Sequence, residues 1–304
     1  MDIVDNVLAY PNETRDIFAI WRLLCTLRDG RYDLAIHLVA SRGLIKSARD
    51  ALFFKLCGIR RTVGVPWRKR DRECMLNGGS VRYEWEAERL ARRISELGVV
   101  NLSDDTLWDL RLSKAETDEA DLLLGDGWMA RPIIAASVGT KVDANHWTLE
   151  NWKRLFAMLN LSVAPNTGLV ILGSEDESAE AEGCLAEWQG ARRNLCGQTS
   201  PRVAAAVLRM AKVFVGHDSG LIHLAGAIGT PCIGIYSARN PPGQWFPRGS
   251  KNRIFYRQTK CFGCRLDRCL AERKRCILGI SPNEVAVACC AFINSNHLAE
   301  PLED

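Results

Sequence analysis

The segment Val213-Phe214-Val215-Gly216-His217-Asp218-Ser219-Gly220-Leu221-Ile222-His223-Leu224-Ala225 constrains the fold more than any other part of the chain. A short apolar run of strand character meets a polar loop. The loop opens into a helix whose apolar positions Leu221, Leu224, Ala225 and Ile228 recur at i, i+3, i+4 and i+7. Ser219 suits the cap of that helix, and Gly220 lets another group come close to the backbone. Unpaired N–H groups at such a helix start, aligned with the helix dipole, make an anion site at the carboxyl edge of a parallel sheet. For an isolated Asp-Ser-Gly a capped helix with a surface or core-edge histidine is the favoured reading, so the surrounding pattern has to decide.

That pattern is an α/β alternation. In the first half the spacing predicts a strand ending within residues 1–9, a helix over about 14–28, a buried strand over 32–39, and a helix over 45–57 closed by Gly58. A strand over 61–65, a polar loop over 67–80 and a helix over 85–97 follow. Turn residues then cluster at Gly125-Asp126-Gly127-Trp128, and a fresh apolar run covers 132–139. The second half predicts helices over 148–159, 178–188, 201–210 and 219–228, with strands over 168–172, 212–215 and 232–236. Two α/β domains are therefore expected, 1–129 and 130–304, which suits 304 residues at roughly 150 per domain.

Composition removes several classes of function. Forty Lys and Arg against 36 Asp and Glu leave a net charge of +4 with no sustained basic block, so no nucleic-acid partner is expected. No apolar run reaches the length of a spanning helix, and Met1-Asp2-Ile3-Val4-Asp5-Asn6 carries acid where a signal peptide needs base. A cytoplasmic protein follows. Twelve Cys in a chain with ample apolar residues read as reduced thiols. Only Cys261-x2-Cys264-x4-Cys269-x6-Cys276 has suggestive spacing: the first pair is spaced as zinc ligands are, the second is not a close C-x2-C, and no metal is assigned.

Asp218-Ser219-Gly220-Leu221-Ile222-His223-Leu224-Ala225, followed by Gly229-Thr230-Pro231, resembles the signature of the family nine glycosyltransferases, the ADP-heptose:lipopolysaccharide heptosyltransferases and their relatives. Other stretches agree in order: Gly139-Thr140-Lys141 before His146-Trp147 and Asn151-Trp152, Leu172-Gly173-Ser174-Glu175-Asp176-Glu177, and Leu195-Cys196-Gly197-Gln198-Thr199. In the first half Tyr32-Asp33-Leu34-Ala35-Ile36 and Gly43-Leu44-Ile45-Lys46-Ser47-Ala48 are similar to the amino-domain pattern.

The resemblance implies a GT-B architecture, two Rossmann-like domains facing across a cleft, with the donor on the carboxyl-terminal domain and the acceptor on the amino-terminal one. It implies inverting transfer of a sugar from a nucleoside diphosphate, ADP-heptose foremost, to a lipopolysaccharide core sugar or similar anionic glycan or glycolipid, without a cofactor. Peripheral association with the inner face of the cytoplasmic membrane is compatible with such an acceptor. Negative charge grows on the leaving diphosphate in the transition state, so preorganised donors are needed there. The amides of Ser219 and Gly220, the side chain of Lys141 with its neighbour Thr140, and His223 are the candidates.

Glu177 is the candidate acceptor for a ribose hydroxyl, against a plain acidic helix start; Asp218 either holds its loop or orients the sugar. Trp245 and Pro247 are similar to the family's loop near the donor sugar, or form a turn with a packed aromatic. Lys46 and Arg42 are candidates for an anionic acceptor, solvated surface cations being the competing reading, and the stronger one for Arg42. Relatives begin with an apolar strand and a Gly-rich loop carrying the general base. Met1–Ala9 resembles a later strand, so the amino-terminal domain reads as incomplete, and no catalytic base is assigned. Loss of a base costs roughly 10²- to 10⁴-fold in rate, so the alternative expectation is a nucleotide-sugar-binding protein with little turnover.

Overall fold

The computed structural model describes residues 5–9, 16–40, 43–79 and 81–294. The chain divides into two compact units, Met1–Asp104 and Asp105–Asp304. The division falls ahead of the turn cluster at 125–128 for a physical reason. Helix α5 (Lys114–Leu124) buries Ala120 and Leu124, and Trp128 after it, in the core of the second unit. Arg202 fastens the same helix, pairing with Glu116 and donating to the Leu110 carbonyl at 2.9 Å. That contact holds the Glu116 carboxyl down at about 2. A turn cluster marks a change of direction, not necessarily a change of core.

The first unit contains α1 (Ile17–Asp29), β1 (Leu34–Ile36), α2 (Leu44–Leu56), β2 (Arg61–Val63), α3 (Lys69–Arg72) and α4 (Glu86–Arg93). Strands β1 and β2 pair in parallel, Leu34 opposite Arg61 and Ile36 opposite Val63. Buried Arg93 ties their ends, donating to the carbonyls of His37 at 2.7 Å, Val39 at 3.0 Å and Gly64 at 2.7 Å. Strand β1 is shorter than the apolar run 32–39 and is half-buried to exposed, contrary to the expectation of burial on both faces. The short helix α3 lies within the stretch expected to be a loop. Thr14, Arg42 and the first part of the expected strand at 1–9 lie outside the described residues; residues 5–9 contain no strand.

The second unit is a six-stranded parallel sheet with helices on both faces. Its strands are β3 (Ile133–Ser137), β4 (Gly168–Ile171), β5 (Arg192–Asn194), β6 (Val213–His217), β7 (Cys232–Tyr236) and β8 (Arg253–Tyr256), in the spatial order β5-β4-β3-β6-β7-β8. Every residue of β3, β4, β6 and β7 is buried, as parallel strands covered on both sides must be. One face packs on α6 (Leu149–Ser162), α7 (Ser178–Leu185) and α11 (Pro282–Asn294), around Trp147, Trp152 and Phe156. The other packs on α5, α8 (Pro201–Met210) and α9 (Gly220–Ala227), around Phe214, Val207 and Ile222. A short helix α10 (Arg275–Leu278) precedes α11.

The order makes the gap between β3 and β6 a topological switch point: the chain runs outward from β3 through β4 to β5, then returns through α8 to start outward again from β6. Loops leaving the two central strands diverge there, opening a crevice at their carboxyl ends. Ser137 stands opposite Gly216, so the residues just beyond β3 and the end of β6 emerge side by side.

A fragment spanning Asp105–Asp304 is therefore expected to unfold cooperatively in urea, whereas one starting at residue 130 loses Ala120, Leu124 and Trp128 from its core. By large-to-small core costs the shorter fragment should be less stable by about 5 kcal/mol or more. Equal stability of the two would contradict the division at Asp105.

Candidate functional site

The crevice at the switch point holds a cavity of ≈ 550 Å³. Six residues expected for a donor meet in its lining: Thr140 and Lys141 beyond β3, Glu177 beyond β4, and Asp218, Ser219 and Gly220 between β6 and α9. Ser137, Gly139, Gly173, Ser174 and Thr199 also lie in the wall. His223 does not line the cavity. It lies 3.5 Å from the Asp218 carboxylate through Nε2, with its ring edge-on to Trp245 at 6.0 Å between centroids.

The start of α9 is arranged for a ligand. Ser219 sits at the cap position in extended conformation, but its hydroxyl makes no capping bond, and its oxygen is buried without a hydrogen-bond partner. A buried hydroxyl left unpaired costs about 1–3 kcal/mol, so the helix start gains nothing from this side chain. The first N–H groups of any α-helix have no partner inside the helix, and here they open onto the cavity. A Cβ built on Gly220 meets nothing within 4 Å, so the space in front of it belongs to the cavity and not to the protein. Lys141 is exposed at the rim.

Glu177 is held across two strand ends. Its Oε2 accepts from the Ser174 N–H at 2.9 Å, closing a reciprocal cap on the turn Glu175–Glu177. A Cβ on Gly139 would come within 2.3 Å of the Glu177 carboxyl carbon, and one on Gly173 within 2.3 Å of its Oε2. A side chain at either position would displace the Glu177 carboxylate from where it lies. Glu177 caps the turn with one oxygen and lines the cavity.

Asp218 is oriented from two sides, by His223 and by the Asn240 Nδ2, which donates to its Oδ2 at 3.2 Å. The loop bearing Asn240 and Trp245 is itself pinned by phenols: Tyr236 donates to the Trp245 carbonyl at 2.8 Å and Tyr256 to the Asn240 carbonyl at 3.0 Å. Burial, with the nearby Asp218 charge, pushes the Tyr236 hydroxyl well above its ordinary range and keeps it a donor.

Sequence reasoning gave His217 no role, and the structure supplies one. Its imidazole is buried, with Nδ1 at 3.3 Å from the Gly139 carbonyl and Nε2 accepting from the Trp147 N–H at 3.3 Å. These two bonds brace both ends of the loop that carries Thr140 and Lys141, and they require the neutral ring with its proton on Nδ1. Burial accordingly pushes the His217 pKa down to about 3. Nothing in its position at a strand end distinguishes it from a core histidine until its partners are known. Asn240, 22 positions beyond Asp218, gave no spacing signal either.

On the acceptor side, Lys46 lies exposed in the first turn of α2, and Arg42 falls outside the described residues.

The glycosyltransferase family 9 (heptosyltransferase) model matches residues 20–274. The chain belongs to glycosyltransferase family 9. It is 28% identical over 236 residues to the lipopolysaccharide heptosyltransferase 2 of Salmonella typhimurium, a match covering 72% of this chain and 64% of that protein. Among solved structures, a glycosyl transferase family 9 protein from Veillonella parvula superposes with a TM-score of 0.66 at 13% identity, covering 91% of this chain and 78% of that one. The E. coli ADP-heptose lps heptosyltransferase II does so with a TM-score of 0.59 at 20% identity, covering 91% and 81%. These likenesses establish the GT-B fold class, here seen as two α/β units each with its own parallel sheet.

The His217 brace carries a pH signature. Above about pH 6.5 neither the folded nor the unfolded chain protonates this ring. As pH falls from there toward 3, the unfolded chain binds a proton that the fold excludes, and stability is lost. At pH 5 the contribution is about 2 kcal/mol, from 1.36 kcal/mol per pH unit. His217→Gln should show a loss of stability between pH 7 and pH 5 smaller than wild type by about that amount in urea titrations. Identical losses in both proteins would contradict the neutral brace.

Proposed function

We propose that this chain is a heptosyltransferase, moving the sugar of ADP-heptose to a lipopolysaccharide core with inversion at the anomeric carbon. The observation that carries the reading is the cavity at the switch point, onto which the start of α9 at Ser219, Gly220 and Leu221 opens and which Lys141 lines. In an in-line displacement the bond from the anomeric carbon to the diphosphate oxygen breaks as the acceptor oxygen bonds on the opposite face. Charge then gathers on the departing diphosphate. Amides of Ser219, Gly220 and Leu221 with the Lys141 ammonium are aligned beforehand to hold that charge, which is what lowers the barrier. Glu177 accepts from a ribose hydroxyl, and Asp218, steadied by Asn240 and His223, orients the sugar.

The substrates are inferred from relatives of which the matched part of this chain spans 64% of the length, as in the Salmonella protein. Lys46 and Arg42 are assigned to the anionic acceptor, and the site of action to the cytoplasmic side of the membrane that holds it. Among the described residues no helix is long and apolar enough to cross a membrane. Donor binding without turnover is the competing reading, and family membership favours turnover.

Two measurements test this. Gly220→Leu places a better helix former where no protein atom obstructs it, so the fold should be unchanged while the side chain fills the ligand's space. Calorimetric titration with ADP should show affinity lower by about tenfold or more, equivalent to about 1.4 kcal/mol. Unaltered affinity would contradict the site. Incubation with ADP-heptose and a heptose-deficient lipopolysaccharide core, followed by mass spectrometry, should show the acceptor gaining one heptosyl unit. Donor binding with no such gain would favour the silent alternative.

A further inference from the structure

The cysteine group noted in the sequence is left unused by the donor site, and the fold gathers it. Cys261, Cys264, Cys269 and Cys276 all line one cavity of ≈ 20 Å³, room for a single small occupant. The wide spacing of Cys269 and Cys276, which counted against a metal in the sequence, is spanned by the turn that leads into α10. Between β8 and α10 the chain has only turns, and no residue from 257 to 276 is buried; Phe262, Leu266 and Leu270 are all exposed. Burial of apolar side chains therefore does not hold this excursion in shape. Yet Arg265, Arg273 and Lys274 within it all adopt left-handed backbone, at φ 56°, 46° and 55°, each at a cost of about 1–3 kcal/mol unless the surroundings enforce it.

The Thr259 hydroxyl lies 3.4 Å from the Cys261 sulfur. Arg239, Arg275 and Glu272 border the cavity, Arg275 pairing with Glu272 at 2.8 Å and Arg239 with Asp267 at 2.6 Å. As placed, no three Cys, His, Asp or Glu side chains among the described residues stand close enough together to hold an ion, so the four thiols ring an open space. Cys264 is exposed and Cys261, Cys269 and Cys276 are half-buried.

We propose that Cys261, Cys264, Cys269 and Cys276 close on one thiophilic, tetrahedrally coordinated metal ion, Zn²⁺ foremost. Four thiols lose four protons to solvent and form four metal–sulfur bonds, leaving a tetrathiolate of net charge −2 beside the two arginines. With every position filled by protein the ion is structural, and its role is to fix the excursion. That excursion is bonded to the donor-side loop: Gly263 donates to the Ala238 carbonyl at 2.8 Å and Arg265 to the Arg239 carbonyl at 2.9 Å, next to Asn240.

The full chain, purified under reducing conditions, should contain about one equivalent of zinc or iron, and after chelation should take up Co²⁺ with the intense visible absorption of a tetrahedral thiolate site. Cys264→Ser with Cys269→Ser should reduce bound metal to about one tenth or less, while Cys290→Ser, outside the group, should leave it unchanged. If the double variant does not fold, the Co²⁺ spectrum of the wild-type chain decides alone. Absence of stoichiometric metal together with no thiolate–Co²⁺ absorption would overturn the proposal, as would full metal retention by a folded double variant.

Discussion

Everything in the second unit converges on the open N-terminus of α9. A helix beginning at the carboxyl end of a central parallel strand points its unpaired amides and the positive end of its dipole into the crevice where neighbouring connections part. The chain commits a glycine and a hydroxyl to that point, keeps the hydroxyl from capping its own helix, and leaves open space before it. Such an arrangement lowers the intrinsic stability of the helix start and is sustained by the surrounding core, in which β3, β4, β6 and β7 are wholly buried.

The supporting contacts show how the crevice keeps its shape without a ligand. His217 binds the loop after β3 at both ends, Glu177 lies over two glycines at the ends of β3 and β4, and Asn240 fixes the carboxylate of Asp218. His217 and Asn240 are neutral, and Glu177 gives one carboxylate oxygen to the Ser174 N–H. Preorganisation of this kind matters because reorientation of dipoles during bond breaking would otherwise add to the barrier.

Much of this was legible in the sequence, and the exceptions have physical causes. Helix α8 and strand β7 match their expected spans, 201–210 and 232–236, because Ser-Pro capping and a short run with Ile233, Ile235 and Tyr236 after Gly-Thr-Pro are local signals. Strands β5 and β8 escaped, since edge strands such as Arg192–Asn194 carry no apolar period. The compact units divide at Asp105 and not at the turn cluster because the attachment of α5 depends on Ala120, Leu124 and Arg202, whose meeting is a long-range event. In the site, the strand–loop–helix motif announced Asp218, Ser219 and Gly220. His217 and Asn240 act through partners distant in sequence, and no spacing reveals them.

The central claim is that main-chain amides at the start of α9 hold the diphosphate of a nucleotide. Amide chemical shifts of the isotope-labelled chain, followed by NMR during titration with ADP, address it most directly. The account predicts that Ser219, Gly220 and Leu221 move furthest and saturate together with the residues Thr140 and Lys141. Saturable binding that leaves those amides in place while shifting another part of the chain would contradict it.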